Sequence, residues 1–344
     1  MKKKGTLIGE QGITWSNQIT NIRALAILLV VFGHSIILYS SSWSLYSSIH
    51  SVPLLDNIKR IIDIIQMPIF FSISGYLFFY THNKKRGISW LIKNKFKRLI
   101  VPYFLIGFIY MVPIKYAVGY SGYYDRTLIA IIGDFLMGQD VGHLWFLPAL
   151  FFIFLICEIF INIIEKVPII QKKDIGTVVL LLLAIILYYE GYRIAFGYAP
   201  ILSAFANVIW FAFGYFICTY HEFYQSFFNR KIIKIASAII GVFLLLFCAF
   251  FDTRVTVGIC CKLICILVLY VIVPEKNNKI ISCISKDSFG IYLFHSPLIY
   301  ITFSFWANES VLIVVLLNFV IFGGVALFIT EFIRRKGLGF VIGE

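Results

Sequence analysis

The stretch NIRALAILLVVFGHSIILY, residues 21–39, decides the fold class. Its apolar run is long enough to cross a bilayer, which takes roughly 20 apolar residues. Two of its residues do not suit hydrocarbon, because Arg23 stands near one end and His34 follows eleven positions later. At about 100° per residue that separation returns to nearly the same side of a helix, about 16 Å along its axis. The stretch therefore predicts a membrane helix with one polar face.

The rest of the chain is as apolar as this stretch. Hydrophobic residues make up 60% of its 344 residues and charged residues 14%, which is typical of a polytopic membrane protein. The net charge of +13 does not indicate nucleic acid, because the basic residues cluster between apolar runs, as in loops that face anionic lipid. The seven cysteines follow neither a disulfide pattern nor the spacing of a metal site.

The apolar runs predict an all-α polytopic membrane protein, with about ten transmembrane helices around a central cavity. We expect the first run to be retained as a span, since no cleavage site of the signal-peptide type follows it. The predicted organisation is an N-terminal segment over residues 1–19, a transmembrane domain over 20–333 and a tail over 334–344. The longest predicted outer loop covers about residues 116–142. The predicted spans lie at about 20–40, 58–80, 98–118, 143–165, 175–190, 198–218, 232–250, 256–273, 286–306 and 309–333.

The distribution of lysine and arginine predicts the orientation. With the N-terminus inside, 22 of the 30 basic residues fall in inside segments and six in outside segments. Inside loops of membrane proteins carry an excess of these residues. We therefore expect both termini of this multi-pass protein in the cytoplasm.

Ionisable groups within spans are candidates for function, because charge in hydrocarbon is costly. In this orientation Arg23 lies near the cytoplasmic surface and His34 lies deep, toward the outside. One helix face thus presents a cation at the inner mouth and an imidazole far along the same path. The structural alternative is that Arg23 extends to the lipid headgroups and that His34 bonds a neighbouring helix.

The second span, DIIQMPIFFSISGYLFFY, carries Asp63 and Gln66 on one face. Asp63 is predicted at nearly the depth of His34, where a carboxylate would fix the tautomer of the histidine and raise its basicity. The alternative is a structural pair at the outer interface. Ser74 and Gly75 lie near the inner end, where small residues allow close helix approach or backbone access to a ligand.

Cations precede the third span in KNKFKRLIVPY. Lys95 and Arg98 are three residues apart and are predicted to share a face. Two cations at a cavity mouth suit a polyphosphate ligand, although a basic loop beside a span also serves as a topology determinant. Both interpretations stay open on the residues alone.

The fourth and ninth spans supply the remaining candidates. His143 and Trp145 are predicted at the outer interface, where they suit a sugar or belong to an aromatic belt. Ser288, Tyr292 and His295 follow one another at four and three residues, so they share a helix face. That face is polar within the membrane and is predicted to line a cavity.

Taken in order, these segments resemble the acyltransferase-3 family of membrane O-acyltransferases. The resemblance covers about residues 16–333. Its last two motifs resemble the subgroup that includes fucose 4-O-acetylases. The matching segments are Arg23 with His34, MPIFFSISGYLFF (67–79), KFKRLIVPY (95–103), HLWFLPALFF (143–152) and SFGIYLFHSP (288–297).

The resemblance implies transfer of an acyl group, most often acetyl, from cytoplasmic acyl-CoA to a hydroxyl of a surface or lipid-linked glycan. Acetyl-CoA would be a co-substrate and not a resident cofactor. By motif position His34 is the catalytic histidine and Arg23 its partner. Arg98 with Lys95 would contact the phosphates of CoA, and Lys95 keeps the charge but lacks the fork of the arginine found there in the family. Ser74 is a further candidate contact for CoA.

The residues fit that chemistry, because a neutral imidazole at His34 can deprotonate a sugar hydroxyl or accept the acyl group first. The expected contacts of the carbohydrate acceptor are His143, Trp145, Tyr292, His295 and Asp63. Two other classes stay open. A polysaccharide exporter or flippase would also have ten spans and a polar interior, whereas a glycan polymerase would usually show a larger outer loop.

Overall fold

The computed structural model describes residues 10–41, 51–81, 87–120, 123, 126–167, 173–251, 253–306 and 309–344. Side chains are described from residue 17 in the first range and from residue 175 in the sixth. Some of the basic residues that predict the orientation, at positions 2–4, 84–86 and 172, lie outside these ranges.

Twelve helices make up the described part of the chain. They are α1 Glu10–Ser35, α2 Pro53–Thr81, α3 Gly87–Ala117, α4 Leu128–Met137, α5 Phe146–Ile164, α6 Lys173–Ile194, α7 Ala199–Thr219, α8 His221–Phe228, α9 Lys231–Phe250, α10 Val255–Ile272, α11 Lys279–Phe305 and α12 Val311–Arg335. Short 3-10 turns lie at Ile37–Tyr39, Gly142–Trp145 and Gly339–Ile342.

Nine helical segments of the described chain are long and apolar enough to cross a membrane. The remaining predicted span corresponds to α11, which has 27 residues but carries polar side chains such as Ser288, His295 and Thr302. Those side chains are buried among the other helices, so they cost no contact with lipid. The predicted all-α polytopic membrane fold is confirmed.

Widened, π-helical turns interrupt α3 and α12. Those of α3 lie at Phe96–Ile100 and Gly107–Met111, and each is followed directly by a Val-Pro pair. Proline lacks an N–H and its ring crowds the carbonyl one turn earlier, so a widened turn ahead of it accommodates the ring within a continuous helix. The third widened turn, Leu317–Phe322, lies in α12.

The core forms where α1 packs between α2 and α11 and where α2 packs against α7. The helices α2 and α7 approach most closely at two glycines. Gly75 lies against the carbonyl of Phe211, and Gly214 lies against the carbonyl of Ser72. Close helix approach was one of the two predicted uses of the small residues near Gly75. Few side chains of α9 and α12 are buried, as expected of helices that face lipid.

Replacing Gly214 by alanine is expected to destabilise the fold by several degrees in apparent melting temperature. The new methyl group would collide with the backbone carbonyl of Ser72, which cannot rotate away, so α2 and α7 must separate. Thermal unfolding of the detergent-solubilised protein measures the effect. Gly324→Ala is the matched control, because nothing lies within 4 Å of a methyl group there. Equal melting temperatures for the two variants would contradict the role assigned to this contact.

Several helix bounds differ from the predicted spans; α3, for example, begins at Gly87 and not near residue 98. The first span was predicted to continue to residue 40, but α1 ends at Ser35. The stretch 116–142 was predicted as a loop, but it contains α4. The Tyr103 hydroxyl donates to the carbonyl of Phe135 at 2.6 Å, so α4 lies beside the middle of α3. Ten residues are too few for a span, and Gly138 ends the helix in a left-handed conformation, which is why the pattern did not stand out.

Candidate active site

Three histidines meet where α1 ends. Nδ1 of His34, in the last turn of α1, lies 2.8 Å from Nε2 of His295 in α11, and the two rings stack. The ring centre of His143, in the Gly142–Trp145 turn, lies 5.9 Å from that of His295. All three side chains are buried. Residues from three separate sequence motifs therefore come together.

The hydrogen bonds decide the tautomers of the histidine pair. Nδ1 of His295 lies 2.7 Å from the carbonyl oxygen of Ile291, and a carbonyl only accepts, so this nitrogen carries the proton. Nε2 of a neutral His295 then holds a lone pair and accepts the Nδ1–H of His34. The lone pair of His34 consequently sits on Nε2, the nitrogen that can act as a base.

His143 and Tyr292 tie the Gly142–Trp145 turn to α11. The Tyr292 hydroxyl donates to the backbone carbonyl of His143, and Nε2 of His143 donates to the carbonyl of Leu293 at 3.1 Å. This bond leaves the lone pair of His143 on Nδ1, which has no hydrogen-bond partner among the described residues. Tyr292 thus positions the turn that carries His143.

Polar side chains of α11 and α12 provide a hydrogen bond to the backbone where α1 ends. The amide of Asn318 donates to the carbonyl of Ser35 at 3.4 Å, and the hydroxyl of Thr302 donates to the amide oxygen of Asn318 at 3.0 Å. Backbone groups in a membrane need such partners because lipid offers none. Sequence reasoning missed Asn318 and Thr302, although an asparagine within the last apolar run was a usable signal.

A cavity of about 420 Å³ begins at His34. It lies beside the α3–α4 connection, on the side that the charge distribution predicts to be outside. Sequence reasoning named His143 and Trp145 on its wall but missed Tyr120, Asp140 and Tyr300. The lining side chains that can form hydrogen bonds are those of His34, His143, Trp145, Tyr120, Asp140, Ser296 and Tyr300.

A buried charge network lies behind one wall of this cavity. Lys115 is 1% exposed, and its ammonium lies 3.6 Å from a carboxylate oxygen of Asp140. The same ammonium lies 4.5 Å from the ring centre of Tyr123 and 5.1 Å from that of Tyr300. Burial raises the pKa of the Tyr123 phenol and nearby Asp140 raises it further, so this phenol stays protonated. Rings and carboxylate together stabilise the buried cation.

Asp63 is paired within its own helix. The ammonium of Lys59, which is fully buried, donates to Asp63, and the amide of Gln66 donates to the same oxygen at 2.6 Å. Asp63 therefore neutralises the buried ammonium of Lys59. The group that bonds Nδ1 of His34 is His295. The i,i+4 spacing of Lys59 and Asp63 on α2 predicts this pair.

The predicted cytoplasmic cations gather around Arg23, near the middle of α1 and about 16 Å along the helix from His34. Arg98 lies close enough to Arg23 and to Lys95 for their charges to repel. The π-helical turn Phe96–Ile100 begins directly after Lys95 and includes Arg98. The ammonium of Lys95 lies 3.5 Å above the ring of Phe154.

Two of the predicted contacts for CoA also form hydrogen bonds within the protein. The guanidinium of Arg98 donates through Nε to the carbonyl of Gly343 at 2.9 Å. Glu344 follows Gly343 in the chain, and its carboxylate accepts a hydrogen bond from the guanidinium of Arg334. This hydrogen bond lowers the pKa of the Glu344 carboxyl. Ser74 donates to the carbonyl of Phe70 at 2.9 Å, which is a bond within its own helix.

Comparison with known proteins gives one family and no individual relative. No curated protein and no solved structure matches the chain. Residues 16–333 match the acyltransferase-3 family, which is described as an acyltransferase domain. This match covers nearly the whole chain and confirms the resemblance of the ordered motifs. The chain therefore belongs to the acyltransferase-3 family and is a multi-pass membrane acyltransferase.

Proposed function

We propose that this protein moves an acetyl group from cytoplasmic acetyl-CoA to a hydroxyl of a surface or lipid-linked glycan in the bacterial plasma membrane. One observation carries the proposal. A single helix, α1, carries Arg23 of the cation cluster near its middle and His34 of the histidine pair in its last turn, and a cavity begins at that pair. Donor and acceptor can thus approach the same nitrogen from opposite ends.

The cation cluster suits the donor. CoA carries phosphate groups, and arginine and lysine bind phosphate strongly through charge-assisted hydrogen bonds. Arg23 and His34 are separated by about 16 Å of helix, a span of the order that an extended pantetheine arm covers. A CoA held by Arg23, Lys95 and Arg98 would therefore present its thioester near His34.

The histidine pair suits the transfer step. Nε2 of His34 removes the proton of the acceptor hydroxyl while the hydroxyl oxygen forms a bond to the thioester carbonyl carbon. The carbon–sulfur bond then breaks, and the imidazolium of His34 returns the proton to the departing CoA thiolate. Throughout the step His295 accepts the Nδ1–H of His34, which holds the ring in place and stabilises its charged form.

The cavity suits a carbohydrate acceptor. Trp145, Tyr120 and Tyr300 provide aromatic walls for the apolar face of a sugar ring, and Asp140 provides hydrogen-bond acceptors for its hydroxyls. An acceptor anchored in the membrane lipids would reach this wall without leaving the bilayer surface.

NMR of the surface polysaccharide from cells with and without the protein tests the proposal. We expect the glycan to stay on the surface and to lose its O-acetyl groups when the protein is deleted. Loss of the glycan from the surface, with its O-acetyl groups intact inside the cell, would instead support an exporter. The spectra also identify the acyl group, the sugar and the hydroxyl position.

Replacing Arg98 by glutamine is expected to raise KM for acetyl-CoA about tenfold, because a hydrogen bond to a charged group contributes about 1.5 to 3 kcal/mol. We expect kcat to change less, since the cluster lies far from the reacting atoms. Initial rates over a range of acetyl-CoA concentrations measure both constants. Lys97→Gln is the matched control, because Lys97 is an exposed cation of the same turn. Equal effects of the two substitutions would exclude a specific contact at Arg98.

A further inference from the structure

The wall of the cavity at His34 carries a single kind of fixed charge. Among the described residues that line it, Asp140 is the one with a carboxylate, and neither lysine nor arginine is present. The Asp140 side chain is 41% exposed. A ligand in this cavity therefore meets the Asp140 carboxylate together with histidine, tyrosine and serine groups.

The backbone holds Asp140 at this place. Gly138, Asp140 and Gly142 all have left-handed backbone angles, with φ of 68°, 48° and 53°. Aspartate and asparagine adopt this region more readily than other residues with a side chain. The segment thus folds back at the level of the histidines and presents the Asp140 carboxylate on the cavity wall.

The cations that stabilise Asp140 lie behind it. Lys115 is buried and surrounded by tyrosine rings, and Arg126 lies 2.8 Å from Asp140 and 2.8 Å from Asp134. Neither cation lines the cavity. Each contact occupies part of a carboxylate that has about four lone-pair sites, so Asp140 keeps capacity to accept further hydrogen bonds.

We infer that Asp140 selects the acceptor of the acyltransferase by binding the hydroxyls of a neutral sugar unit and repelling units that carry a carboxylate. This inference rests on the proposed function, since it requires a glycan in the cavity. Hydrogen bonds from hydroxyls to a carboxylate are charge-assisted and short. A carboxylate of the acceptor meets Asp140 before it meets Lys115 and Arg126, which do not line the cavity, so it finds like charge and no hydrogen-bond donor at this point of the wall.

The test compares sugars that differ in one group. Wild-type protein in liposomes receives acetyl-CoA and hexyl β-glycosides of glucose, galactose and mannose, each beside its uronic acid counterpart. We expect kcat/KM to be at least about tenfold higher for the neutral members, from like-charge repulsion at the wall. This ranking of acceptors by kcat/KM is measured on the wild-type protein. It therefore tests the role of Asp140 even if a substitution at that position disturbs folding.

Asp140→Asn then removes the charge and keeps the shape and the left-handed backbone. We expect KM for the neutral glycosides to rise about tenfold and the preference over uronic acids to fall below about threefold, since a charge-assisted bond and the repulsion are both lost. KM for acetyl-CoA should stay unchanged. Asp134→Asn is the matched control, because Asp134 pairs with the same Arg126 at 2.8 Å but does not line the cavity.

The outcomes separate the two ideas. Transfer to none of the glycosides by the wild-type protein would count against the proposed function itself. Transfer with equal use of neutral and uronic acid acceptors would overturn the role of Asp140 and leave the acetyl transfer standing. An unchanged preference in Asp140→Asn, or the same change in Asp134→Asn, would overturn it as well.

Discussion

Replacing His34 by glutamine is expected to lower kcat for acetyl transfer at least about a hundredfold, the contribution typical of a general base. Glutamine can donate and accept hydrogen bonds near the position of the ring, but it cannot take a proton from a hydroxyl. Initial rates of acetyl transfer and of CoA thiol release, measured in liposomes, give the effect. If His34 instead accepts the acyl group first, both rates also fall together, because glutamine cannot act as that nucleophile.

A second buried histidine gives the control for this experiment. His221, in α8, packs against Tyr224 with ring centres 4.9 Å apart and lies outside the histidine cluster. Burial lowers the pKa of His221 to about 3, so this ring is neutral at working pH and glutamine removes no charge. We expect His221→Gln to keep wild-type kcat within about threefold. Activity of His34→Gln within tenfold of wild type would refute the assignment of His34 as base.

The sequence predicts the outline of this site because its main signal is local. The spacing of Arg23 and His34 defines a helix face without any knowledge of the neighbouring helices. The same holds for Tyr292 and His295, which share a face of α11. Composition and the distribution of lysine and arginine then predict the class of fold and its orientation.

The contacts between helices could not be predicted in the same way. His295, and not Asp63, bonds the Nδ1 of His34, because Asp63 is already paired with a lysine one turn away. Nothing in the second span alone decides which partner an aspartate takes. A fully buried lysine such as Lys59 also looks like an ordinary loop cation until its surroundings are known.

The stretch 116–142, which contains α4, shows the same limit. Asp140 and Tyr120 lie in a stretch that resembles a loop by composition, yet α4 brings the chain back beside α3 and onto the cavity wall. The ten residues of α4 are too few to signal a span. Asn318 likewise matters only because α1 stops at Ser35 and leaves a carbonyl that needs a donor.

Replacing His295 by phenylalanine is expected to lower kcat about a hundredfold while KM for acetyl-CoA stays within about threefold, by analogy with other residues that orient a catalytic histidine. Phenylalanine fills the volume of the ring but accepts no hydrogen bond. The Nδ1–H of His34 then loses its buried acceptor, at a cost of about 1 to 3 kcal/mol, and the tautomer that leaves Nε2 basic is no longer favoured. The cation cluster lies about 16 Å away along α1 and should be unaffected.

The tautomer itself can be observed, which separates positioning from simple loss of packing. Solid-state NMR of ¹⁵N-histidine-labelled protein distinguishes a protonated Nδ1 from a protonated Nε2. We expect His34 of the wild-type protein to carry its proton on Nδ1 and His295→Phe to shift the proton toward Nε2. His295→Gln restores an oxygen acceptor near the same place, so it should recover part of the rate and of the Nδ1–H signal, whereas a packing defect would not respond to that oxygen. A slow His295→Phe protein with an unchanged His34 tautomer would show that His295 acts by some means other than orienting the base.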